Sequence, residues 1–198
     1  MLFAQLPGYT MLLSNWKKGD VHMNITEFIG KSLAESNEYI NQAIKGLSPD
    51  ELSFRPQPHS NSIAFLLWHL ARIEDIWINK ILLGEKEMYE SEGWYQKFGT
   101  PAQDSGFGYD VKKIDVWPVP TLVLLQAYAT TVRGKTQVFL NALNDQKLDE
   151  SKDLGWRKGT IGSALSHLVM EVGEHTGQIG YIRGFMKGIE LPTPPPRK

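Results

Sequence analysis

GTIGSALSHLVMEVGEHTGQIGYIRGFMKG, residues 159–188, is the stretch on which the fold turns. Wound at about 100° per residue with Gly173 as zero, its apolar residues Ile161, Ala164, Leu165, Leu168, Val172, Ile179, Ile182 and Met186 fall between about 180° and 280°. So narrow a stripe, kept along the whole stretch, is the inward face of one long helix opening at Gly159 or Thr160 and closing near Gly188. Six glycines (Gly162, Gly173, Gly177, Gly180, Gly184 and Gly188) fall at about −20° to 60°, on the far side. Each interior glycine costs roughly 0.5–1 kcal/mol against alanine. The ridge is therefore expected to meet another helix closely, within the chain or across a two-fold homodimer interface.

Working outward, three further stretches carry the same period. Ile25, Phe28, Ile29, Leu33, Ile40, Ala43, Ile44 and Leu47 recur at threes and fours behind Asn24, which with Glu27 makes a reciprocal capping pair. Gly46 and Pro49 close that helix. After SPDELSFRPQPHSN (48–61), read as loop, a second helix runs from Ile63 to Leu83, capped by Ser60 or Asn61 and stopped by Gly84. A third runs from Pro120 to about Leu143, with Leu124, Leu125, Tyr128, Val132, Thr136, Phe139 and Leu143 along its face. No stretch alternates as a strand does. Four helices of this length give an all-α fold, a four-helix bundle over 24–188. Its second connection, residues 85–119, is long and partly irregular; such excursions usually carry function, and short helical turns with a lid-like role are expected there. An irregular lead-in (1–23) and a Pro-rich tail (189–198) flank the bundle.

Composition narrows the function. Among 198 residues, 21 Lys+Arg stand against 22 Asp+Glu, a formal net charge of −1. No basic stripe exists to neutralise phosphates, so no nucleic-acid partner is expected. Cysteine is absent, which excludes disulfides, thiolate metal sites and Cys nucleophiles together. No span nears the ~18 apolar residues of a membrane helix, and Pro7 and Gly8 spoil the N-terminus as a signal peptide. A cytoplasmic location without a membrane partner is the expectation. Chemistry must then rest on His, carboxylates, hydroxyls or a metal.

His167, Glu171 and His175 fall near about 120°, 160° and 200°, on the edge of the buried stripe. The spacing lets Glu171 and His175 close on one ion. Equally, Glu171 pairs with Arg183, Arg72 or a protonated His, since a half-buried carboxylate needs a partner. His69 lies among Ile63, Leu66, Leu67, Leu70, Ile73 and Trp77 on the second helix and faces the core. Bundles build metal sites from such facing helices, and two imidazoles with one carboxylate leave coordination positions open.

Asn61-Ser-Ile-Ala-Phe-Leu-Leu-Trp-His-Leu-Ala-Arg72, then Gly93-Trp94 and Lys97-Phe98-Gly99, then His167, Glu171 and His175-Thr-Gly-Gln-Ile-Gly-Tyr-Ile-Arg-Gly184 resemble the DinB-like (damage-inducible) four-helix-bundle superfamily over roughly 24–188. The resemblance implies a divalent metal held by three His, one from helix 2 and two spaced by four on helix 4. These positions are His69, residue 171 and His175, and Glu171 departs from the pattern. His167 falls to a supporting or reserve place. Relatives include thiol S-transferases, a maleylpyruvate isomerase using low-molecular-weight thiols, metal-dependent hydrolases and modules fused to iron-dependent sulfoxide synthases. The expectation is a metal-dependent transferase or hydrolase acting on a small-molecule substrate, with Ni, Zn, Fe or Mn bound and a low-molecular-weight thiol as cosubstrate. The alternative is a non-catalytic metal- or ligand-binding module.

Four other groups have weaker expectations. Arg72 and Gln178 stand beside the ligand positions, to support them or touch substrate. Arg183 either clamps an anionic substrate group or pairs with Asp75 or Glu74. His59 is solvated in its loop. Trp94, Phe98, Phe107 and Tyr109 either roof a pocket or form a small core of the long connection.

Overall fold

The computed structural model describes residues 23–188. The lead-in through His22 and the tail 189–198 lie outside the described residues. Helix α1 (Ile25–Ile44) begins as its capping pair dictates: Asn24 Oδ1 accepts from the Glu27 amide at 2.8 Å, and Glu27 returns the bond. Ile29, Leu33, Ala43 and Ile44 are buried, whereas Ile25 and Phe28 are exposed. Phe28 flanks the stripe, and Ile25 sits in the first turn, past the cover of the bundle.

The segment 48–61 is not all loop. Ser48 and Glu51 make a second reciprocal cap around α2 (Pro49–Ser53), with Pro at the first helical position. Helix α3 (Ile63–Asp75) is capped one residue later than expected, by Ser62, whose Oγ accepts from Phe65 N. Nearly every residue of α3 is buried, as suits a helix covered all round. It widens into a π-helical segment, Ile76–Leu83, which ends at Gly84 with φ +69°. Gly84 supplies the left-handed backbone that L side chains avoid.

Helix α3 runs parallel to the third long helix. The long connection exists because the chain must return to the starting end, and it does so through α4 (Met88–Ser91), α5 (Trp94–Phe98) and α6 (Val111–Asp115). Tyr89, Trp94 and Phe98 are buried against Tyr128, while Phe107 is exposed. The aromatics at 94 and 98 are thus the connection's own core and do not roof a pocket. Helix α7 (Leu122–Ala142) is capped by Thr121, not opened by Pro120. Arg72 meets Tyr128, and Glu74 meets Arg133 and Thr136, which sets the parallel direction.

Contrary to the expectation of no strands, β1 (Ser151–Asp153) and β2 (Lys158–Thr160) pair antiparallel. Three-residue strands are too short to show alternation in sequence. Helix α8 (Ile161–Lys187) follows, capped by Thr160. All of its stripe is buried except the half-buried Met186. It packs chiefly on α1 and α3 and runs antiparallel to α3, since His69 faces His175 while Trp77 faces His167.

The glycine ridge meets nothing within the described chain. A Cβ built at Gly173, Gly177, Gly180 or Gly184 has no neighbour within 4 Å, and only Gly162 approaches another element, at Leu148 O. Among the described residues no helix meets the ridge, because α8 packs by its opposite side. Gly173→Ala and Gly177→Ala are each expected to raise stability by about 0.5–1 kcal/mol, read by thermal or urea unfolding. A two-fold interface seated on this side would reverse the sign.

Candidate metal centre

His69 projects from the second turn of α3 and is 8% exposed. Its Nδ1 lies 2.5 Å from the Ser105 carbonyl oxygen. A carbonyl only accepts, so the Nδ1–H donates and the Nε2 lone pair is left free. Burial also lowers the pKa of His69 and favours the neutral imidazole, with the Ser105 bond opposing. The ring lies parallel to Phe65, 6.0 Å between centroids.

Ser105 is held from both sides. Arg72 Nε donates to the Asp104 carbonyl at 2.8 Å, and the Asp104 side chain accepts from Gly106 N and from the Tyr109 hydroxyl. Gly106, at φ +77°, presses on Phe65 and Trp68, where an added Cβ would come within 2.7 and 2.8 Å of their rings. The long connection is thereby pinned to α3 at the point where it orients His69.

On α8, Gln178 does for His175 what Ser105 does for His69. Gln178 Nε2 donates to Glu174, which turns its Oε1 toward His175 Nδ1 at 2.9 Å. The amide oxygen accepts, so His175 also offers Nε2, here 3.9 Å from Glu171 Oε2. The other Glu171 oxygen lies 3.4 Å from His167 Nε2. The rings of His69 and His175 stand 5.1 Å apart at 75°. One donor atom from each of His69, Glu171 and His175 lies within 4.8 Å of the others. Two imidazoles with their second nitrogens already engaged, plus a carboxylate, form a donor set that fits a borderline divalent ion. Among the described residues no Lys or Arg reaches ion-pairing distance of Glu171. Its charge faces histidines alone, which favours a cation at this point.

The remaining sequence candidates separate. His167 joins the cluster through Glu171. Its ring also packs against Trp77 at 5.0 Å and Trp156 at 5.8 Å, and the two indoles meet edge to face at 5.5 Å. Gln178 supports His175. Arg72 supports the site through Asp104 and does not touch the cluster; its guanidinium is spent on Glu87, Asp75 and Tyr128. Arg183 is buried on α8 with no hydrogen bond or ion pair among the described residues, and its Nε is unpaired. The expected pairing with Glu74 or Asp75 fails because those carboxylates are taken by Arg133 and Arg72. His59 is exposed, as expected of a loop histidine.

Sequence reading missed Ser105, because a backbone carbonyl has no residue-type signature. It also missed Trp156, which lies in a connection whose hairpin is marked only by Gly155. A separate cavity of about 730 Å³ opens between α1 and α7. Glu74, Arg133, Asn37 and Gln137 line it, and none of the three cluster residues does. The candidate site is marked by its donor geometry, not by this cavity.

Comparison agrees with this architecture. The family model of the DinB superfamily matches residues 32–179. A crystal structure of a conserved protein from Enterococcus faecalis superposes with a TM-score of 0.76 at 22% identity, covering 84% of this chain and 99% of that one. At that identity the likeness speaks for the fold alone. No curated protein matches the chain.

Proposed function

We propose, from the premise that the chain belongs to the DinB superfamily, that His69, Glu171 and His175 hold a divalent ion (Ni, Zn, Fe or Mn) serving transfer or hydrolysis on a small molecule. The observation that carries this is the convergence of those donors with both imidazole Nδ1 positions already engaged by Ser105 and Gln178. Such an ion lowers the pKa of a water or thiol ligand toward neutrality. The chain has no cysteine, so a transfer reaction takes its thiol from a low-molecular-weight cosubstrate. Glu171 is committed as an anionic ligand and is no base. His167, at 3.4 Å from Glu171 Oε1, is placed to hold a proton at Nε2 beside the centre. Two imidazoles and one carboxylate fill three positions and leave the rest for substrate.

A second reading is a non-catalytic metal- or ligand-binding module. It is favoured by the same approach of His167, which as a fourth protein donor would close the coordination sphere. Elemental analysis of protein purified without an affinity tag tests both readings. Near-stoichiometric metal is expected in the parent and in His167→Ala, and none in His69→Ala or Glu171→Ala. Loss of metal in His167→Ala as well would favour the closed module. Absence of metal in the parent, with none taken up on titration, would leave the helical fold without this function.

A further inference from the structure

One exposed side chain beside the cluster serves neither the core nor ion binding. Trp156 sits at the tip of the β1–β2 hairpin and is 63% exposed. The hairpin that carries it is firmly anchored. Lys152 Nζ donates to the Leu82 carbonyl at 3.0 Å, closing the hairpin onto the end of the π-helical segment. Leu154 is buried beneath it, the Leu154 amide bonds to the Arg157 carbonyl across the turn, and Ile161 N bonds to Glu150 O. Asp153 accepts from Gly155 N, and Gly155 takes φ +91°, a turn that most side chains resist.

A large apolar ring exposed on a mobile tip would be unremarkable. Here the hairpin beneath the ring is bonded in place, and the ring's neighbours are specific. It meets Trp77 edge to face and lies 5.8 Å from the His167 ring, whose Nε2 is 3.4 Å from Glu171. Trp77, its edge-to-face partner, is 4% exposed. The exposed indole thus stands one side chain, His167, beyond the carboxylate of the donor set His69, Glu171 and His175. Aromatic rings favour offset or edge contacts with such a surface beyond what their area alone supplies.

We propose, resting on the metal reading above, that Trp156 is a specificity-determining residue. It selects substrates that carry a planar aromatic group a few bonds from the end directed at the ion. The aromatic group lies against the exposed indole, and the polar end reaches the cluster.

The test compares two metal-directed probes, 3-phenylpropanohydroxamic acid and acetohydroxamic acid, titrated calorimetrically into the Co(II)-loaded protein. The phenyl probe is expected to bind about tenfold or more tightly, and Trp156→Ala to reduce that preference to roughly twofold or less at unchanged metal content. Trp156→Phe should keep most of the preference. Trp156→Leu, which retains apolar bulk without a π face, should lose it. A preference equal in all four proteins, or equal in parent and Leu variant, overturns the aromatic assignment and leaves the metal reading standing. Failure of the parent to take up Co(II) overturns both. Circular dichroism of each variant separates lost selectivity from lost structure.

Discussion

Replacing Arg72 with leucine is expected to cost about 3–5 kcal/mol of folding stability, a large part of the roughly 5–15 kcal/mol that a domain has. The side chain is fully buried and joins three parts of the chain. Nη2 pairs with Glu87, Nη1 donates to the Tyr128 hydroxyl at 3.1 Å, Nε holds the Asp104 carbonyl, and the guanidinium lies 4.1 Å over the Tyr89 ring. Asp75 beside it is fully buried too, and accepts from Tyr128, Asn79 and the amides of Met88 and Tyr89. Removing the cation leaves Asp75 a carboxylate out of water without a counter-charge, and leaves Glu87 with only the exposed Lys80 ammonium at 3.1 Å, and that penalty dominates. Arg72→Lys should recover only part, because a single ammonium cannot reach four partners in the guanidinium's plane. Urea unfolding of both variants measures it. A loss below about 1 kcal/mol would place this network among the weak ion pairs of a solvated surface.

Gly106→Ala comes second in expected size. The backbone there has φ +77°, a left-handed conformation that costs an L residue about 1–2 kcal/mol. The added Cβ would also meet Phe65 at 2.7 Å and Trp68 at 2.8 Å. Both rings are core, with Phe65 also against His69 and Trp117. Neither can withdraw freely, so overpacking adds about 1–3 kcal/mol. The effect should reach beyond stability. Ser105 precedes Gly106, and its carbonyl sets the tautomer of His69. Displacing it frees the ring to turn, and losing such a partner typically weakens metal affinity by about 10–100-fold. Unfolding curves and competitive metal titration on the same preparation measure the two consequences. A variant that is destabilised but binds metal as before would assign Ser105 a structural role only.

How much of this was open to inspection beforehand follows from range. The helix period of residues 161–187 placed its core face correctly, because that period belongs to the backbone and needs no neighbour. Asn24 with Glu27 announced a helix start for the same reason: both partners of the capping pair lie within one turn. The identical signal at Ser48 and Glu51 was equally local, and the prolines around it masked a single helical turn. Arg183 shows the opposite case. Its exposure angle was legible, but its partner was not, since Glu74 and Asp75 are claimed by residues about sixty and three positions away along the chain. Pairing among buried charges is a competition, and only the packed chain shows which bidder is nearest.

The sequence by itself determined an all-α bundle of four long helices and set Glu171 and His175 one turn apart, because periodicity and i, i+4 spacing are properties of one helix at a time; His69 was a candidate partner on a second helix. Tertiary structure decided what those donors can do. It brought α3 and α8 together antiparallel, so that His69 stands opposite Glu171 and His175. It laid a backbone carbonyl from the long connection against His69, and it set a hairpin tryptophan beside His167. Each of these depends on contacts between elements tens of residues apart, whose geometry follows from packing and not from any local pattern.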